Sequence, residues 1–259
     1  MTDSVRAGST VQRRFFETVD STQGEARRWV RADGPLQGLV VAAAQTHGVG
    51  RADHRWESPR GGLYLSSIIS VGSAPTSGLL SLAVGAALAD DLAARLRFQP
   101  ALKWPNDLVV VRPGRLPAKF GGLLVDFVTL GAGEGAVIVG LGMNVRTSRS
   151  EFPLELRDSI TSLAEVDPST PELGNLEQRA DSVIRVAVRD LETEAGKGRA
   201  LARVRALLYG VGRTACIDGV VVGRIQGVEE SGGLVVAHGG VESIVLTGDL
   251  TFEAEPAAP

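Results

Sequence analysis

The chain has 259 residues, 44% hydrophobic and 22% charged, enough to bury a sizeable core in one large domain or in a large domain with a small one. Its formal net charge of −3, from 27 Lys and Arg against 30 Asp and Glu, excludes overall electrostatic attraction to DNA or anionic membranes but leaves room for a local basic pocket. Cys216 is the single cysteine; it excludes internal disulfides, fits a reducing compartment and, between Ala215 and Ile217, reads as a buried small hydrophobe.

The first eight residues lack the hydrophobic centre of a signal peptide, and no apolar run reaches the ~18 residues of a membrane span, so a cytoplasmic location without membrane association is expected. Residues 15–19 read as a strand. Asp20-Ser21-Thr22 offers an N-cap for a helix reaching about Arg31. Leu39–Ala44 is a short all-apolar strand, which suggests burial on both faces, and Leu63–Ser70 is another strand.

Apolar residues at three-to-four spacing from Leu79 to Leu96 predict an amphipathic helix over 79–97. Strands follow at Leu108–Val111, Gly122–Val128 and Val137–Leu141, the first two joined by Arg112-Pro-Gly-Arg-Leu-Pro. Residues 152–173 read as loop, and 176–208 as two helices around a polar break at Glu194–Lys197. From 211 to 254, short Val and Ile runs alternate with glycine turns, which predicts a small β-barrel-like module with a boundary near 209 and a disordered tail at 255–259. Strands and helices mix without a regular βαβ rhythm, so the fold class is α+β, a mixed sheet with helices packed against it.

The densest chemistry lies at Lys103-Trp-Pro-Asn-Asp107 and Lys119-Phe-Gly-Gly122. Lys, Asn and Asp are seldom fully buried unless paired, whereas a polyanion site can use lysines for phosphate, a carboxylate for a metal and glycines for close backbone approach. Asp107 reads either as a turn-capping Asx residue or as a metal ligand and proton acceptor. Trp104 divides evenly between core and ligand contact. Gln45-Thr-His-Gly-Val-Gly-Arg51 is a loop able to wrap an anion, and Trp56, among polar neighbours, reads as a stacking surface. Ser21 and Thr22 are explained by helix capping alone, with ligand binding as a second role. His47, His54 and His238 stand at no zinc-site spacing and carry no catalytic assignment.

Six motifs in order resemble the biotin protein ligase family: Val19-Asp-Ser-Thr22, Gln45-Thr-x-Gly-x-Gly-Arg51, Trp56-x-Ser-Pro-x-Gly-Gly-Leu-Tyr-Leu-Ser66, Lys103-Trp-Pro-Asn-Asp107, Lys119-x-Gly-Gly-Leu-Leu-Val-Asp126 and Gly140-x-Gly-Met-Asn-Val145. The resemblance implies a catalytic domain over 1–208 and an SH3-like β-barrel over 209–254. It also implies a two-step reaction with ATP, biotin and Mg²⁺. Biotin's carboxylate attacks the α-phosphate to give biotinoyl-AMP and pyrophosphate, and a lysine of a biotin carboxyl carrier domain then takes the biotin as an amide.

By resemblance, Arg51 and Lys119 screen the two anions. Ser21, Thr22 and Gln45 bond the ureido ring or hold its pocket, while Gly48 and Gly122 let the backbone close in. Trp56 stacks on adenine, and Lys103, Asn106, Asp107 and Asn144 serve the nucleotide, with Asp107 a candidate Mg²⁺ ligand and base. The family loop usually reads Gly-Arg-Gly-Arg with a further glycine and arginine. Here Val49, Asp53 and His54 replace a cation, a glycine and a cation, so weaker retention of the adenylate is expected. About fifteen residues precede the first strand, too few for a helix-turn-helix domain, so a monofunctional ligase without DNA binding is expected, as monomer or homodimer. A lipoate or octanoate ligase or transferase of the same fold, and a non-catalytic biotin-binding paralogue, remain as alternatives.

Overall fold

The computed structural model describes residues 11–32, 36–72, 77–131 and 134–253. The tail expected to be disordered, 255–259, lies outside them. In chain order the elements are β1 (Gln12–Phe16), α1 (Thr22–Arg31), β2 (Gln37–Ala42), β3 (Leu63–Val71), α2 (Ser77–Ala93), β4 (Ala101–Lys103), β5 (Asp107–Val110), β6 (Ala118–Gly131), β7 (Glu134–Met143), α3 (Leu163–Val166), α4 (Leu173–Asp190) and α5 (Glu194–Leu207). Five strands complete the chain: β8 (Thr214–Ile217), β9 (Val220–Val228), β10 (Leu234–His238), β11 (Val241–Val245) and β12 (Leu250–Phe252). No helix among the described residues is long and apolar enough to cross a membrane.

A seven-stranded sheet runs β1-β2-β3-β7-β6-β5-β4. Only β1 and β2 pair in parallel, so the expected mixed sheet is present. The second sheet, antiparallel, has the order β11-β10-β9-β8-β12. Both faces of the first sheet are covered, which is why β2 reads as continuous apolar sequence. Leu39, Val41, Leu65, Ile69, Val137 and Val139 face the large core beneath α2, α4 and α5. Val40, Ile68 and Ile138 face the other way, against Ala26, Trp29 and Val30 of α1. Each fully buried aliphatic side chain there contributes roughly 1.5–3 kcal/mol over the exposed state.

α1 begins where the sequence predicts, because Ser21 accepts a hydrogen bond from Gly24 N at 3.3 Å and so satisfies one of the free N–H groups of the first turn. Other boundaries move. β1 starts earlier and ends at Phe16, since parallel pairing with β2 holds only Gln12–Phe16. β6 is longer than the predicted Gly122–Val128 because Ala118 and Lys119 pair with β5 and the pairing with β7 runs from Gly121 to Gly131. The break between α4 and α5 falls at 191–193. Glu194-Ala-Gly-Lys is instead the capped first turn of α5, with Thr193 Oγ1 accepting from Gly196 N at 3.0 Å. Within 152–173, a 3₁₀ turn at Leu154–Leu156 and α3 interrupt the loop. Cys216 is partly exposed rather than buried, because on β8 it points opposite to Ala215 and Ile217.

The two sheets share one core, to which Ala215, Ile225, Leu234 and Leu250 contribute. Trp104 is 1% exposed, and its indole N–H donates to Gly232 O at 3.0 Å in the turn between β9 and β10. Trp104 is therefore core, and the peptide joining it to Pro105 is cis. Leu79 N donates to Ser231 O at 3.1 Å, and Tyr209 N to Leu102 O at 2.8 Å, so the same turn and the chain after α5 grip α2 and β4.

Candidate active site

Strand register gathers the site. Lys103 stands opposite Asp107, Asp107 opposite Gly122, Gly122 opposite Gly142 and Gly142 opposite Tyr64, in one row across β4, β5, β6, β7 and β3. The next row on the same face holds Leu124, Gly140 and Ser66. Residues nearly 80 positions apart in sequence thus meet on the face that carries α1.

Two cavities open over these rows. The first, about 290 Å³, is lined by Ser21, Thr22, Gln23 and Gln45 on one side and by Arg51, Lys103, Asp107 and Lys119 on the other. The second, about 500 Å³, has apolar walls from Val109, Leu116, Pro117, Phe152, Leu156 and Ile160, with Asn144 among them. Arg55, Trp56, Lys103, Asp107, Lys119 and Thr251 border both. The junction is therefore the most cationic part of the site.

At that junction Lys119 Nζ lies 2.6 Å from Asp107 Oδ1 and 5.1 Å from the centre of the Trp56 ring. Burial holds the Lys103 amine below its ordinary pKa; Asp107 and Asp249 push it up, and Lys119 pushes it down. Trp56 lies flat on the sheet because Gly142 and Gly122 have no side chains. A Cβ on Gly142 would stand 2.5 Å from the indole, and one on Gly122 3.2 Å. The indole N–H is buried without a hydrogen-bond partner.

The hydroxyl and amide end is a closed network. Gln45 Oε1 accepts from Thr22 N (2.8 Å) and Thr22 Oγ1 (3.2 Å), and Gln45 Nε2 donates to Ser58 Oγ at 2.8 Å. Ser66 Oγ donates to Thr22 Oγ1 at 3.1 Å and to Gln23 Oε1 at 2.9 Å. Gln45 thus spends most of its polar capacity holding the pocket. Asn106 donates to Leu123 O at 2.6 Å, tying the turn before β5 to β6. Asn144, 2% exposed, donates to Thr161 O at 3.2 Å and has a buried Oδ1 with no partner.

The loop at 48–56 is a tight hairpin bridged at Val49 and Arg55, with Trp56 N donating to Gly48 O at 2.9 Å. A Cβ at Gly48 would collide with the Trp56 carbonyl, so this glycine serves the hairpin's packing and does not border either cavity. Arg51 Nη2 donates to Thr247 Oγ1 at 3.3 Å, and His54 Nε2 lies 3.4 Å from Asp249 Oδ2. The connection between β11 and β12 therefore meets the loop directly.

The structure brings together Ser21, Thr22, Gln45, Arg51, Trp56, Lys103, Asn106, Asp107, Lys119 and Gly122, and sets Asn144 in the adjoining cavity. Sequence reasoning missed Gln23, Arg55, Asp249 and Thr251. Gln23 carried a signal, an amide in the first turn of a helix whose cap was already a candidate; Thr251 carried none, because it arrives from the second sheet.

A polar cavity thus joins a larger, more apolar one through Lys103 and Lys119 on one face of a mixed sheet. Residues 15–144 match the Biotin/lipoate A/B protein ligase family, and the chain belongs to it. It is 28% identical over 229 residues to the bifunctional ligase/repressor BirA of Bacillus subtilis (strain 168), covering 86% of this chain and 68% of that one. To the biotin–[acetyl-CoA-carboxylase] ligase of Paracoccus denitrificans it is 36% identical over 135 residues, 49% of this chain and 51% of that one. Its fold is shared with the biotin protein ligase from Aquifex aeolicus in complex with biotin and ATP, with a TM-score of 0.78 at 23% identity over 94% of this chain and 99% of that one.

Proposed function

We propose that the chain is a biotin–protein ligase that activates biotin with ATP and transfers it to a lysine of a biotin carboxyl carrier domain. The observation that carries this reading is the pair of cavities meeting at Lys103, Asp107 and Lys119. Biotin has a carboxylate at one end and a neutral, hydrogen-bonding ureido ring at the other. The first cavity offers the same order, cations at the junction and hydroxyls and amides at the far side. Those hydroxyls and amides already bond one another, and the acceptor sites they keep are of use to the N–H groups of a ureido ring but not to a dithiolane or an alkyl chain, which favours biotin over lipoate or octanoate.

In this reading adenine enters the second cavity, where Asn144 Oδ1 is a buried acceptor for its amino group and Trp56 and the apolar walls supply a stacking surface. Biotin's carboxylate oxygen attacks the α-phosphorus, forming a C–O–P linkage as pyrophosphate leaves. Lys119 and Arg51 offset the repulsion between the two anions and stabilise the developing charge. When phosphate engages Lys119, Asp107 loses its ion-pair partner and is available to accept the proton of the incoming carrier lysine, whose nitrogen displaces AMP from the acyl carbon.

Mg²⁺ is supplied with ATP in this scheme. Among the described residues no three His, Cys, Asp or Glu side chains group to hold a metal, so the chain's own candidate ligand for it is Asp107 alone, once phosphate has drawn Lys119 away. Residues 1–208 act as the catalytic domain, and 209–254 as an appended domain whose β12 borders the site. The loop's lost cations weaken retention of biotinoyl-AMP. An adenylate dissociation rate equal to that of a Gly-Arg-Gly-Arg enzyme would remove that last point.

The test is incubation with ATP, Mg²⁺, radiolabelled biotin and an apo carrier domain. Label on the carrier is expected. Labelling by lipoate or octanoate instead would select the transferase reading, and biotin binding without labelling would select a non-catalytic paralogue.

A further inference from the structure

Gln23 is 3% exposed, borders the first cavity and belongs to none of the roles above. It lies across Gly140, where a Cβ would stand 2.5 Å from its Oε1. Its amide is pinned on every side: Nε2 donates to Asp126 Oδ2 at 2.6 Å and to Ile138 O at 3.2 Å, and Oε1 accepts from Ser66 Oγ. Asp126 is held in turn by Arg27 Nε at 2.7 Å. With both N–H groups and one lone pair of Oε1 spent, this amide has no donor left for a ligand and at most one acceptor site. What it chiefly presents to the cavity is its volume.

Its position along β7 tells which volume. Gly142 carries Trp56 at the junction, Gly140 two residues earlier carries Gln23, and Ile138 two residues before that already packs in the closed cluster of Ala26, Trp29 and Val30. Past Gln23 the described residues on this face are that packed cluster.

We propose that Gln23 is the end wall of the acid-binding cavity and fixes how far a ligand can extend beyond its distal ring, making it a specificity-determining residue. The proposal rests on the biotin reading for the identity of the acid, but not for the wall itself. A side chain short enough to leave Gly140 uncovered lengthens the cavity; a ligand extended at its distal end then fits.

The experiment measures binding of biotin and of biotin carrying a methyl or propyl group on a ureido nitrogen, by calorimetry, to the full-length chain and to Gln23→Ser. The unaltered chain is expected to reject the extended ligands. Gln23→Ser is expected to gain on them by roughly 10–200-fold relative to biotin, the discrimination a fitted pocket makes per methylene. An unchanged ratio between extended and unextended ligand would overturn the proposal, as would loss of both by a folded variant, which would make Gln23 a support of the pocket rather than its end.

If Gln23→Ser does not fold, Gln23→Asn keeps the amide one methylene shorter; a gain for the methyl ligand supports the wall and its absence refutes it. If the unaltered chain binds no biotin at all, the function reading fails separately. A series of unbranched acids then tests the same wall, with the longest accepted chain expected to lengthen in the variant.

Discussion

Lys119 Nζ and Asp107 Oδ1 sit 2.6 Å apart on neighbouring strands, at the point where the two cavities meet. The pair lets the free protein hold a cation ready for phosphate without leaving it unpaired. Lys119→Ala is expected to abolish adenylation, measured by biotin-dependent pyrophosphate exchange. The pair is partly exposed, so the unfolding free energy is expected to change by only about 1 kcal/mol or less. Retained exchange would refute the assigned role.

Lys103 gives a pH signature. The protonated amine is the form that meets phosphate, and burial has lowered its pKa in the free protein. Below that lowered pKa nucleotide binds without proton uptake; above it each binding event takes up a proton, so affinity falls as pH rises. Lys103→Arg, which does not titrate in this range, is expected to flatten the profile, read by calorimetry in buffers of different ionisation enthalpy. For stability the sign is a penalty: it is full below the folded pKa and vanishes as pH rises past the ordinary 10.5.

Gly142→Ala puts a methyl group against the Trp56 indole, which must lift from the sheet. A stability loss of about 1–3 kcal/mol is expected, together with a changed tryptophan emission and a raised KM for ATP with less effect on that for biotin. Equal effects on both substrates would detach Trp56 from the nucleotide side.

Arg185, 8% exposed, donates to Asp181, to Gln37 and to the carbonyls of Ile68 and Gly38, fastening α4 to the sheet. Arg185→Ala leaves Asp181 without its cation, with an expected cost of about 3–5 kcal/mol in denaturant unfolding. A double change with Asp181→Asn is expected to recover part of it, since the lone charge is what costs most.

Much of this was legible along the chain. Asp20-Ser21-Thr22 announced α1, and the motifs at 103–107 and 119–122 marked the junction, because local capping and residue type carry those signals. The three-residue β4 was not legible: it exists only by pairing with β5 and through the contacts of Leu102 with Leu208 and Tyr209. Trp104 could not be assigned from its neighbours, since its hydrogen-bond partner Gly232 lies 128 positions away. Gln23 has only its place beside the helix cap to mark it in the sequence; the fold alone puts Gly140 beneath it. Asp249 and Thr251 reach the site only because β12 closes back on β8.

The grip of Trp104 on Gly232 bears on how the protein comes apart. The most recognisable motif of the chain holds the second sheet with its tryptophan while its lysine and aspartate face the ligands. A chain cut after Leu208 would orphan a buried indole N–H and strip Leu79 N and Leu102 O of their backbone partners. The two sheets should therefore melt together, in one calorimetric transition, and damage to the turn at 229–233 should be felt at the lysines as surely as damage to the motif itself.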